Sequence, residues 1–262
     1  MMTTAKIIKY ELSDILRSKW VLFYGLFFLL MTEALLRFGG SGEKALLSLV
    51  NVVLILIPLV GILFGTMYLY SSREFVVLLL TQPVNRRALF AGLYCGLALP
   101  LALSFALGVL APFVFHAGGG VALQPLLMLL TSGVWLTCIF VAIAFMIAIR
   151  FEDRVKGLGA AVMVWLLFTL LYDGGVLVLL HVFADYPLEK PVLGLMILNP
   201  VDLTRVALLM NFDIAALMGY TGAVFERFFG SHLGLLVAAL SLTMWLAGPL
   251  YAGLRLFVRK DF

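Results

Sequence analysis

Asp173 stands about sixteen residues into the apolar run 158–183, directly after "WLLFTLLY". A carboxylate at such depth in hydrocarbon is costly unless it faces a polar cavity or a partner, which makes it a candidate for a translocation path. His181 follows two turns later on the same run. Together they offer a proton relay; separately, Asp173 would bond helix to helix and His181 would hydrogen-bond at the interface. A second polar group is packed into "ILNPVDLTR", residues 197–205. Here Asn199 can cap a helix, Pro200 suits its first position and Asp202 lies in its positive first turn, with Arg205 three residues beyond and within reach. Met196, Met210 and Met218 carry soft thioethers that would suit Cu(I). No Met-x-x-Met pair occurs, however, and methionine is an ordinary filler of apolar gaps. Cys95 and Cys138 sit inside apolar runs without C-x-x-C or Cys/His spacing, so no metal or redox centre is expected. Phosphate-loop, H-E-x-x-H and G-x-S-x-G patterns are all missing, "GGSGEKAL" failing the phosphate-loop spacing. A non-catalytic chain is expected, and any ATP would be hydrolysed by another protein.

The elements that position these residues must lie in lipid. Hydrophobic residues make up 64% of the 262 and charged ones only 12%, about half the usual charged share of a soluble domain; the mean hydropathy is +1.14. Apolar runs at about 20–38, 46–70, 88–115, 121–149, 158–183 and 233–257 each approach or exceed the roughly 20 residues a helix needs to span hydrocarbon. Barrel strands would be about ten residues of alternating polarity, whereas these runs are apolar on every face. The expectation is an all-α integral membrane protein of six transmembrane helices, forming one domain over 1–262. The first run is too long for a signal-peptide core and no A-x-A-like site follows it, so it is expected to be retained as a span.

Thirteen of the 18 Lys and Arg fall in 1–19, 71–87, 150–157 and 255–262. The positive-inside rule then places both termini in the cytoplasm. The net charge of +4 is accounted for by this topology and does not imply a nucleic-acid partner. In "KIIKYELSDILRSKW", Ile8, Leu12, Ile15 and Leu16 share one helical face, which suits an elbow helix over 1–19 lying in the headgroup layer, with Trp20 marking the interface. Glu33 and Arg37, four apart, are expected to pair near the outer surface. Pro58, Pro100 and Pro112 are candidates to bend their spans. Gly174 and Gly175 would permit a close helix approach or a local break. The outer segment 184–232 is too apolar for an independent soluble core and should hug or re-enter the membrane, with the turn at Asn199–Arg205 launching a short helix.

Two inner links could meet a partner. In 71–87, the apolar stretch Phe75–Leu80 is too short to span yet needs a covering surface, and Thr81, Gln82, Pro83, Val84, Asn85, Arg86 and Arg87 bring the chain back to the membrane. The alternative is a solvated turn whose arginines only set topology. "RFEDRVKG", with Glu152, Asp153 and Arg154, is either a salt-bridged turn or a second docking contact.

The "LLLTQPVNRRALF" link, the N-terminal elbow, six spans and an outer re-entrant region before the last of them resemble the membrane subunits of ABC-2-type exporters. "ELSD" followed by Arg17 and Trp20, "WLLF" followed by Asp173, and "LNPVDLTR" are similar to the NosY-like branch, permeases associated with maturation of the copper centres of nitrous oxide reductase. The short outer "GGSGEK" turn departs from that branch. The resemblance implies a type V-like exporter fold and a homodimer in the bacterial inner membrane, bound to two copies of an ABC ATPase. Leu80 to Arg87 would form the ATPase-coupling segment, and residues 150–157 a lesser contact. It also implies ATP and Mg2+ in the ATPase, no cofactor in this chain, and a periplasmic accessory protein of NosD type. Two other readings stay open: an ion-coupled carrier using Asp173 and His181 as relay, and an ABC-2 exporter of lipid or drug.

Overall fold

The computed structural model describes residues 19–39, 41–81, 84–116, 123–183, 194–210 and 232–260. The expected elbow, apart from Lys19, lies outside them, as do Gln82, Pro83, Met218 and residues 184–193 and 211–231. Among the described residues the fold is helical, with no strand. The helices are α1 (Lys19–Phe38), α2 (Gly42–Ser71), α3 (Arg73–Leu80), α4 (Arg86–Phe115), α5 (Leu123–Arg150), α6 (Arg154–Leu166), α7 (Tyr172–Val182), α8 (Pro200–Met210) and α9 (His232–Arg259). A wider turn, Leu167–Leu171, joins α6 to α7, so that the two make one span. Among the described residues, six helical segments are long and apolar enough to cross a membrane: α1, α2, α4, α5, Arg154–Leu179 and Leu236–Arg259.

The bundle is built around α5. It packs most extensively against α2 and α9 and also against α4, while α1 lies along α4 and α6 along α2. Leu136, Ile139, Phe140, Val141 and Phe145 of α5 are fully enclosed. Lipid tails are as apolar as leucine, so such contacts rest on close packing more than on water exclusion. That explains the small residues at the closest crossings. A Cβ on Gly65 of α2 would stand 2.6 Å from the Ala144 Cβ of α5, and one on Gly108 of α4 would stand 2.6 Å from the Gly25 carbonyl of α1. Where α1 meets α4, Ser104 donates to the Val21 carbonyl at 2.8 Å, and Phe28 and Phe105 meet edge to face.

The helices run on through Pro58, Pro100 and Pro112. On the turn before Pro58, the Ile55 carbonyl accepts the Trp165 indole N–H at 3.2 Å, an instance of a neighbouring helix serving backbone near a membrane proline. Cys95 and Cys138 are half-buried free thiols. Glu33 and Arg37 pair at 2.6 Å, with His116 Nδ1 3.6 Å from the same carboxylate. Span 5 seats one face on α2 and leaves the rest of its surface outside this core: Met163, Leu167, Leu170, Leu171, Leu177 and Val178 are exposed. Open space surrounds Gly174 and Gly175, so the close helix approach they permit is not made among the described residues. The break in this span falls just before them, at the wide turn Leu167–Leu171.

Candidate functional site

Besides the Glu33–Arg37–His116 group, two larger polar assemblies interrupt the apolar bundle among the described residues. The first is built on the turn at Asn199. Asn199 Oδ1 accepts the Val201 N–H at 2.9 Å, capping α8, and Pro200 occupies the first helical position. The Asn199 amide donates to the Asp202 Oδ2 atom and to the Phe168 carbonyl, each at 2.8 Å. Phe168 lies in the wide turn of span 5. The Tyr172 N–H, which would close an ordinary α turn on Phe168, reaches back to Leu167 instead. Asn199 therefore supplies a donor to a carbonyl whose usual partner has been drawn away.

Arg205 links the two helices by charge. Its Nη1 lies 2.5 Å from Asp173 Oδ2 and 3.2 Å from Asp202 Oδ1. Tyr172 donates its hydroxyl to the Leu195 carbonyl at 2.5 Å, and from α9 Trp245 donates its indole N–H to the Ile197 carbonyl at 3.1 Å. Asn199 is wholly buried and Asp202 nearly so, whereas Asp173 and Arg205 are each about one-third exposed. Burial, reinforced by the hydrogen bond and charge of Asp173, pushes the Asp202 carboxyl up to about 7, with Arg205 and Asn199 opposing. Asp173 thus has its partner, on a helix 32 residues away. His181 is exposed and lies eight residues further along the same helix, about 12 Å at 1.5 Å per residue, so the structure does not join the two as a relay. Met196 packs against the core as filler, and among the described residues no group of three or more His, Cys, Asp or Glu could hold a metal ion.

The second assembly closes the opposite end. Tyr70, at the end of α2, donates to the carbonyls of Phe151 and Asp153 at 2.8 and 3.2 Å. Arg73 donates to the Glu152 carbonyl at 3.0 Å. Asp153 Oδ1 caps α6 by accepting the N–H groups of Val155 and Lys156; these bonds hold the exposed carboxyl below its usual range. Arg86 Nη1 donates to the carbonyls of Val258 and Lys260, both at 2.9 Å, tying the start of α4 to the end of α9. Lys260 in turn donates to the Ile149 carbonyl at 2.8 Å and lies 3.6 Å from Glu152. The link between spans 2 and 3, the link between spans 4 and 5 and the last helix are one hydrogen-bonded unit.

On this unit α3 turns Val76 and Leu79 inward and leaves Val77 and Leu78 exposed. Leu80 is half-buried, Thr81 and Arg87 are exposed and Val84 is partly so, while Asn85 Oδ1 caps α4 by accepting the Arg87 N–H at 2.9 Å. Glu152, Asp153 and Arg154 are exposed. Sequence reasoning missed both long-range unions, Asp173 with Arg205 and Arg86 with the chain end. The first had a signal: two opposite charges flanking apolar segments, each needing a partner in lipid. The second had none, since its acceptors are backbone carbonyls.

Comparison with known proteins agrees with this architecture. The chain is 30% identical over 265 residues, covering 94% of it and 92% of the relative, to a probable ABC transporter permease protein NosY of Pseudomonas aeruginosa. It is 28% identical over 225 residues, covering 79% of it and 81% of the relative, to a probable ABC transporter permease protein NosY of Stutzerimonas stutzeri. The sequence profile of the ABC-2 family transporter proteins matches residues 5–262. With its six apolar helices and a profile match running to its last residue, the chain is a multi-pass membrane protein that belongs to the ABC-2 transporter family.

Proposed function

We propose that this chain is the permease half of an ATP-driven machine: a homodimer in the bacterial inner membrane, both termini in the cytoplasm, worked by two copies of a separate ABC ATPase. The cargo or outer-face change would serve assembly of the copper-sulfide centre of nitrous oxide reductase, with an accessory protein of NosD type on the periplasmic side. Family membership and the NosY relatives support the machine and its setting.

One observation carries the coupling role. The short helix α3 offers Val77 and Leu78 outward, and Arg87 at the start of α4 is exposed as well, while Tyr70, Arg73 and Arg86 fasten their surroundings to the next link and to the last helix. An apolar patch rimmed by polar groups marks a surface for a protein partner. A push delivered there would reach spans 2, 3, 4, 5 and 6 at once, and binding and hydrolysis of ATP would shift the population between two packings of the bundle. In this reading Leu80 to Arg87 meet the ATPase first and Glu152, Asp153 and Arg154 make a lesser contact.

The test is co-purification with the cognate ABC ATPase. Leu78→Asp and Arg87→Glu should each weaken association and the stimulation of ATP turnover while leaving the melting temperature unchanged. Full association and stimulation in both variants would overturn the coupling role. An ion-coupled carrier is not favoured, because Asp173 is already bound by Arg205 and does not meet His181.

A further inference from the structure

Two carboxylates and one guanidinium meet where α8 rests on span 5. Arg205 Nη1 serves both Asp173 and Asp202, so one cation stands between two carboxyls. A single guanidinium balances one carboxylate, and a proton on the other removes the excess negative charge. Asp202 is the buried member and takes its remaining bond from Asn199. Among the described residues, the charged and titratable groups bearing on Asp202 are Asp173 and Tyr172 from span 5 and Arg205 from its own helix. With both carboxylates charged, one guanidinium faces two anions in a poorly hydrated place, and the contact between α8 and span 5 weakens.

We propose that Asp202 is a proton-binding site, and that its proton latches α8 onto span 5 at the wide turn. The mechanical setting fits a latch. Phe168, Tyr172 and Asp173 all lie at the turn or within two residues of its end, and Asn199, the Leu195 carbonyl and Arg205 reach them from one short stretch. Neutral Asp202 leaves Arg205 to a single charge. Losing the proton leaves the Asn199 bond to Phe168 and the Tyr172 bond to Leu195 to hold the segment unaided.

The sign follows from the folded-state value. Docked Asp202 keeps its proton to about 7, whereas an undocked aspartate gives it up near about 3.9. Docking is therefore fully supported in acid, weakens by about tenfold per pH unit between about 4 and 7, and changes no further above that.

The full chain in lipid nanodiscs, with Cys95→Ala, Cys138→Ala and the buried reporter Thr204→Cys, is labelled by a slow thiol reagent from pH 5 to 9, with and without Asp202→Asn. The ratio of the two rates at each pH cancels the titration of the thiol itself. The ratio should rise about 100-fold between pH 5 and 7 and then level off. A ratio flat with pH would overturn the proposal, as would a rise that begins only above pH 7. If Asp202→Asn fails to fold, Asp173→Asn replaces it: without the second negative charge docked Asp202 gives up its proton earlier, so the rise in labelling should level off at lower pH and be smaller, and an unshifted plateau would overturn the proposal. The test needs no ATPase, so it fails or succeeds independently of the coupling role.

Discussion

Asn199 donates its side-chain amide to the Phe168 carbonyl across 2.8 Å, joining the cap of α8 to the one place where span 5 widens. One residue thereby serves three needs: the first free amide of a helix, a carbonyl deprived of its usual donor, and a buried carboxyl. Asn199→Ala removes all three bonds at a fully buried position. A lost cap costs about 1 kcal/mol and an unsatisfied buried group about 1–3 kcal/mol. A loss of about 2–4 kcal/mol is expected in reversible unfolding in detergent, and Asn199→Asp, which keeps the cap oxygen but turns a second oxygen on Asp202 and the Phe168 carbonyl, should lose at least as much.

Asp173 and Arg205 should behave as a coupled pair. Arg205→Gln leaves two carboxyls without their cation and should destabilise more than the double variant Asp173→Asn/Arg205→Gln. Both side chains are about one-third exposed, so the coupling in a double-mutant cycle is expected near 1 kcal/mol, well short of the value for a fully buried pair. A cycle that sums to zero would mean the ion pair contributes nothing.

Arg86 and Arg87 are neighbours with different work. Arg86 grips Val258 and Lys260, so Arg86→Gln should lower stability by about 1.5–3 kcal/mol, the range for hydrogen bonds that involve a charged group. Arg87 is exposed, and Arg87→Ala should change stability by less than about 0.5 kcal/mol. Thermal melts of the two single variants in one detergent check the contrast.

Gly65→Ala is the sharpest test of packing. The added methyl would meet the Ala144 Cβ, an atom fixed to its own backbone, 2.6 Å away. Helices α2 and α5 would have to part, at an expected cost of about 1–3 kcal/mol. Gly174→Ala, with open space around it, should leave the melting temperature within error or raise it, since alanine is the better helix former.

How far the fold could be read beforehand follows the range of the forces involved. Hydrocarbon thickness acts on every run of about 20 residues, so the spans declare themselves in composition. Capping and i,i+4 pairing act within a turn, and Asn199 with Val201 or Glu33 with Arg37 were legible for that reason. Asp173 declared its need for a partner but not the partner's address, because the choice of Arg205 depends on how α8 folds back. Arg86 gave no hint at all, since a backbone carbonyl such as that of Val258 has no sequence signature. The wide turn at Leu167–Leu171 was equally silent: "LFTLL" is as apolar as its surroundings.

That turn fixes the rotational phase of everything after it. It holds one residue more than an α turn would, and each residue advances a helix by about 100°. Deleting Leu170 should therefore let the segment relax to uniform α geometry with Asp173 still facing Arg205, whereas drawing all the residues of the turn into α geometry would swing Asp173 about a quarter-turn away. The chain thus stores a single supernumerary residue in one loop of a rod while both ends keep their aim.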